Sequence, residues 1–165
     1  MLPVNWDDKL VENAPDEAIA HRVVAAVRSL LALDKHLLEV NASERSISHR
    51  LALHLTKQFE DMDVDCEYNR NGHEIKRLQI FQPCVSTTGD EGSPVYPDII
   101  VHRRFLDENA LVIEIKKSTS SVSDEWDLAK LSAFRNELGY KTALFLRFEC
   151  NVETPTLSHS QWVDG

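Results

Sequence analysis

The spacing of apolar residues along the chain changes period twice, and each change marks a change of element. After an irregular start, Ala18, Val23, Val24, Val27, Leu30, Leu31 and Leu38 recur at intervals of three and four, which predicts a helix over residues 15–38 with one buried stripe. Asp16 and Glu17 suit the positive end of its dipole. Asn41 interrupts the pattern, and a second helix is predicted over 42–59, where Ile47, Leu51, Leu55 and Phe59 fall four apart. From Val64 the period shortens to two, so that 64–69 and 75–81 predict strands joined as a hairpin through Asn71-Gly72. Residues 86–93 have loop composition, and 96–102 and 110–117 are predicted strands that pair antiparallel around a turn at 107–109. Residues 118–123 form a polar break whose last serine caps a helix over 124–138, closed by Gly139, and 141–148 is the final strand.

This order of helix, helix, four strands, helix and strand predicts an α/β (α+β) domain, with a mixed sheet of four to five strands flanked by helices. A chain of 165 residues suits a single domain with its own core. Within it, 1–40 is an N-terminal extension carrying an extra helix, 41–148 the core, and 149–165 an irregular tail. The extra helix serves either as a packing layer or as the face of a homodimer. No apolar run approaches the roughly 20 residues of a membrane helix, and the opening lacks the pattern of a secretory leader. Cys66, Cys84 and Cys150 are odd in number and include no CxxC pair. The expectation is a cytoplasmic protein without membrane contact, its cysteines reduced and mostly buried.

The net charge of -9 counts against non-specific affinity for nucleic acid, which draws its energy from Lys and Arg replacing condensed counterions. Carboxylates that hold divalent ions, however, add negative charge where the ions later supply the positive charge. Over 110–117 the pleat sends Leu111, Ile113 and Ile115 to one face and Val112, Glu114 and Lys116 to the other. An acid and a lysine on a central strand need a partner or a task. Asp98 follows Pro97 at the start of the neighbouring strand, and a favourable register brings it beside Glu114. Adjacent carboxylates resist joint ionisation unless a cation sits between them, and oxygen-only ligands suit Mg2+ or Mn2+. Such ions clamp a phosphate and activate a water, while Lys116 orients the water or stabilises developing charge. The constellation points to phosphodiester hydrolysis.

Pro97-Asp98, a gap of fifteen residues, and Glu114-Ile115-Lys116 together resemble the signature of the PD-(D/E)XK nuclease superfamily. The order of elements over 41–148 is similar to that superfamily's restriction-endonuclease-like core. The resemblance implies a metal-dependent nuclease acting on DNA in preference to RNA, with Asp98, Glu114 and Lys116 as its catalytic core. It also implies an accessory acid from the first core helix and a Lys or Gln from the second. Glu44 and Lys130 stand at those positions, so that Asp98, Glu114 and Glu44 hold the ion and Lys130 assists.

Each of these residues has a plainer alternative. Asn41-Ala42-Ser43-Glu44 matches a capping box, and Lys130 can lay its stem over Trp126. Asp98 can be a turn acid, and Glu114 with Lys116 a solvated strand face. The functional alternative is a nuclease-fold module that binds a protein or nucleic acid without cutting it. HExxH, GxGxxG, GxxxxGK and GxSxG are all absent, so zinc, nucleotide and serine-hydrolase chemistry lack support, and His49, His54 and His102 are expected at the surface. Arg70, Arg77, Arg103 and Arg104 near strand ends meet either a phosphate backbone or solvent. Asp61, Asp63, Asp65 and Glu67 suit a solvated strand edge.

Overall fold

Five strands, β1 (Asp63–Cys66), β2 (Ile99–Arg103), β3 (Glu108–Lys117), β4 (Thr142–Phe148) and β5 (Leu157–Trp162), lie side by side in chain order. The computed structural model describes residues 5–68, 70–71, 74–75, 77–78, 93–94 and 96–165, with the side chains of 5–68 and 96–165. β1, β2 and β3 are antiparallel neighbours, β4 runs parallel to β3, and β5 returns antiparallel to β4. The parallel step requires a crossover, which α5 (Glu125–Leu138) supplies. Before the sheet come α1 (Trp6–Glu12), α2 (Glu17–Leu33), α3 (Lys35–Glu39) and α4 (Glu44–Gln58). The architecture is α+β, a five-stranded mixed sheet flanked by helices.

The two-residue period sorts the core into two layers. Ile99 and Val101 of β2, Leu111, Ile113 and Ile115 of β3, and Leu144 and Leu146 of β4 pack with α1, α2 and α4. Ile100, Val112, Ala143 and Phe145 point the other way, onto Leu131 and Phe134 of α5. The stripe of α2 is buried on α4 and α1, so that helix packs as a layer on the core.

Several local expectations are corrected. The helix expected over 15–38 breaks at Asp34, whose carboxylate is held by His54 Nε2 at 2.5 Å and Arg50 Nε at 2.9 Å, so α4 fixes the break. His54 is accordingly buried rather than at the surface, and so is His102. Within the stretch before residue 15, expected to be irregular, Trp6–Glu12 forms α1 with Leu10 buried. Asp124, not Ser123, caps α5, although Ser123 Oγ accepts the Glu125 N–H at 3.2 Å. The tail expected to be irregular contributes β5, and Trp162 Nε1 donates to the Leu10 carbonyl at 2.8 Å. Arg70–Asn71 pairs with Glu74–Ile75, while Gly72 of the expected turn, most of the strand expected over 75–81, most of the loop 86–93, and Cys84 lie outside the described residues. Cys66 is exposed, against expectation, and Cys150 is buried. Among the described residues no helix is long and apolar enough to cross a membrane.

Candidate active site

The site arises where β3 outruns β2. Their ladder ends at the Ile99–Ile113 pair, yet β3 continues to Lys117, so the N–H groups of Ile115 and Lys117 point past the start of β2. Unpaired N–H groups in such a place are costly, and two carboxylates take them. Asp98 Oδ2 accepts from Ile115 N–H at 2.7 Å, and Glu44 Oε2 accepts from Lys117 N–H at 3.0 Å. Glu44 is the first residue of α4, whose cap is Ser43, with Oγ accepting the Ser46 N–H at 3.2 Å; Glu44 therefore reaches the sheet instead of closing a capping box. A cavity of about 460 Å³ opens beside these acids, lined by Glu44, Ser48, His49, Cys66 and Asp98 among others. Ser48 Oγ is buried at its wall without a hydrogen-bond partner among the described residues. Although Cys66 as a residue is exposed, desolvation of its thiol at the wall of this cavity and the charges of Asp98, Glu67 and Asp65 push that thiol up to about 11.

On the opposite face of β3, Glu114 and Lys116 meet α5. One turn of that helix presents Asp127 and Lys130 three residues apart, which places both on one side. Lys130 Nζ lies 3.0 Å from Glu114 Oε1 and 3.5 Å from the Tyr96 carbonyl. The first contact is one of charge, because Oε1 is buried without an aligned donor. Lys116 Nζ lies 2.6 Å from Asp127 Oδ2, donates to the carbonyls of Ser123 at 2.8 Å and Val122 at 3.3 Å, and is 3.7 Å from Asp124 Oδ1. Asp124 is itself held by Arg147. The strand acid thus faces the helix base and the strand base faces the helix acid, a pair of crossed ion contacts.

Burial raises the Glu114 carboxyl well above the ordinary range, the Asp98 charge adds to the rise, and Lys130 offsets only part of it. Asp98 is also raised by burial, against the opposing Ile115 N–H and Lys130, and it lies within hydrogen-bonding reach of Glu114. For Lys130, burial alone would lower the ammonium, but the charges of Glu114, Asp98 and Asp127 outweigh it and hold it above an ordinary lysine.

Asp98, Glu114 and Lys130 therefore lie together, and Glu44 flanks them through the Lys117 amide. Lys116 shares their region of the sheet but is engaged by α5, and Glu114 and Lys116 are buried rather than a solvated face. Lys130 is likewise buried against Glu114. Sequence reasoning missed Asp127 and Asp124. The signal was available as an acid-x-base on the strand followed by an acid-x-x-base on the next helix.

Arg103 is paired with Glu108 at 2.9 Å and Arg104 with Asp65 at 2.5 Å, so both are engaged by acids of this chain. Asp65 also accepts from His102 Nε2 at 2.7 Å, which makes it a pairing residue rather than a solvated edge. The side chains of Arg70 and Arg77 lie outside the described residues. Among the described residues no three His, Cys, Asp or Glu side chains gather as a metal-holding group. Asp98 and Glu114 nevertheless offer hard oxygen ligands, one of them buried without a donor, and magnesium is often held by one or two carboxylates completed by water and phosphate. Comparison of the chain with protein-family models, curated protein sequences and solved structures gives no match.

Proposed function

We propose that the chain is a magnesium- or manganese-dependent nuclease with a restriction-endonuclease-like PD-(D/E)XK core, hydrolysing phosphodiester bonds in DNA in preference to RNA. The observation that carries this reading is the Asp98–Glu114 carboxyl pair, with Glu114 Oε1 buried and lacking an aligned donor. Two acids so placed are costly without a cation between them. Asp98 and Glu114 would hold the ion, with Glu44 on the flank as a further acid. A bound ion supplies charge to the phosphate and lowers the pKa of an attacking water. The chain's own part is to fix Asp98 through the Ile115 N–H, to balance Glu114 with Lys130 when no ion is present, and to bring Lys116 to a phosphate oxygen. Asp98→Ala is expected to lower magnesium-dependent cleavage of DNA by about 100-fold while the far-UV spectrum stays unchanged. Cleavage at the natural rate by a folded Asp98→Ala protein would refute the assignment.

A second reading is favoured by one observation: Lys116 Nζ already donates to two carbonyls of the chain and is ion-paired with Asp127. A site closed on itself in this way suits a nuclease-fold module that binds a protein or nucleic acid without cutting. Magnesium separates the two readings. An active site raises the melting temperature in magnesium, by about 2.7 kcal/mol of stability at 100 times Kd, and loses the shift in Asp98→Asn. A binding module shows no shift.

A further inference from the structure

We propose that Asp127 positions Lys116 for the reaction, fixing its ammonium so that one N–H remains deliverable to a phosphate oxygen. The inference rests on the nuclease reading above. An ammonium carries three N–H donors and no acceptor. Around Lys116 Nζ stand Asp127 Oδ2 at 2.6 Å, the Ser123 carbonyl at 2.8 Å and the Val122 carbonyl at 3.3 Å. The two short contacts come from the first turn of α5 and the residue leading into it, and they fix the amine from one side. The third is long, and it ends at a residue that is 67% exposed. A phosphate oxygen that displaces the Val122 carbonyl takes the third N–H and leaves the other two contacts in place.

Asp127 carries this role and Asp124 does not. Asp124 stands 3.7 Å from Nζ and is held by Arg147. The Lys116 and Asp127 side chains are only 7% and 16% exposed, so their attraction is little screened by water. The same turn of α5 that offers Asp127 to Lys116 offers Lys130 to Glu114. The helix therefore sets the places of both strand residues at once, and the aim of Lys116 is tied to the carboxyl pair it must serve. A side chain packed only for stability would not need this division into two firm contacts and one replaceable one.

The test is steady-state kinetics with magnesium on whichever nucleic acid the natural chain cuts. Asp127→Asn, which keeps the shape and removes the charge, is expected to lower kcat by about 10–100-fold with KM within about twofold. Asp127→Glu, which restores the charge on a longer arm, is expected to recover part of the loss. Glu125→Gln, the same charge change on an exposed residue of the same turn, is the control and stays at the natural rate. A second readout is the Lys116 ammonium signal in a ¹⁵N-lysine spectrum, identified by its loss in Lys116→Arg. Held by three acceptors, it exchanges slowly and is visible in the natural chain, and it broadens or vanishes in Asp127→Asn. Natural kcat in Asp127→Asn, a loss confined to KM, or an unchanged ammonium signal overturns the inference. If Asp127→Asn does not fold, natural kcat in Asp127→Ser overturns it instead. A natural chain that cuts no nucleic acid refutes the nuclease reading itself, whereas a cutting chain indifferent to Asp127 refutes only this inference.

Discussion

Burial disfavours the charged form of the Glu114 carboxyl, which is 2% exposed, and the Asp98 charge beside it adds to that preference, while Lys130 opposes it without cancelling the rise. Because its folded pKa lies above the ordinary 4.5, the folded chain binds that proton more tightly than the unfolded chain does. The stabilisation from this group is complete below 4.5 and is lost as pH rises through the folded value. Glu114→Gln, which copies the protonated side chain, is therefore expected to gain melting temperature relative to the natural chain as pH is raised from 4.5 towards 8. Each kcal/mol shows as about 2–4 °C in a domain of this size. A difference that does not change with pH contradicts the assignment of a raised Glu114. At this scale the sequence was informative about the pair itself, because a period of two puts Glu114 and Lys116 on one face and a hairpin register brings Asp98 beside Glu114. Lys116's partner was less legible: the Asp127-x-x-Lys130 spacing hints at it, but Asp127 sits on another element and the packing of α5 on β3 brings the two together.

At the scale of elements, the helices and strands with strong apolar periods were legible and the polar ones were not. α2, α4, α5, β2, β3 and β4 all carry buried stripes or runs. β5 carries Ser158, His159, Ser160 and Gln161 between Leu157 and Trp162, so its ladder to β4 holds it in place with little side-chain burial and no alternation to read. The break at Asp34 escaped for a related reason: it is imposed by Arg50 and His54 from α4, and no local helix-breaking residue announces it. Gly139 was legible because a left-handed residue closes α5, and its φ of 66° is one that an L side chain adopts only at a cost. A Cβ there would meet nothing within 4 Å, so the cost of Gly139→Ala is one of backbone alone. Urea unfolding is expected to show a loss of about 1 kcal/mol, and a neutral or stabilising substitution would contradict the left-handed cap.

For the whole molecule, the net charge of -9 and the acids gathered at one end of the sheet belong to the same arrangement. Asp98 and Glu44 take the amides where β3 extends beyond its neighbour, and on the other face α5 brings Lys130 to Glu114 and Asp127 to Lys116. The acidic balance predicts weak, magnesium-dependent association with nucleic acid in place of the strong salt-sensitive binding of a basic domain. The proposed function is that this sheet end cuts phosphodiester bonds with a metal ion and Lys116. Its most direct test is a cleavage assay on single-stranded, double-stranded and branched DNA and on RNA, with magnesium or manganese, comparing the natural chain with Lys116→Ala. Metal-dependent cutting of DNA that is lost in Lys116→Ala is the predicted result, and a natural chain that leaves every substrate intact, or a folded Lys116→Ala protein that cuts as well as the natural one, would contradict it.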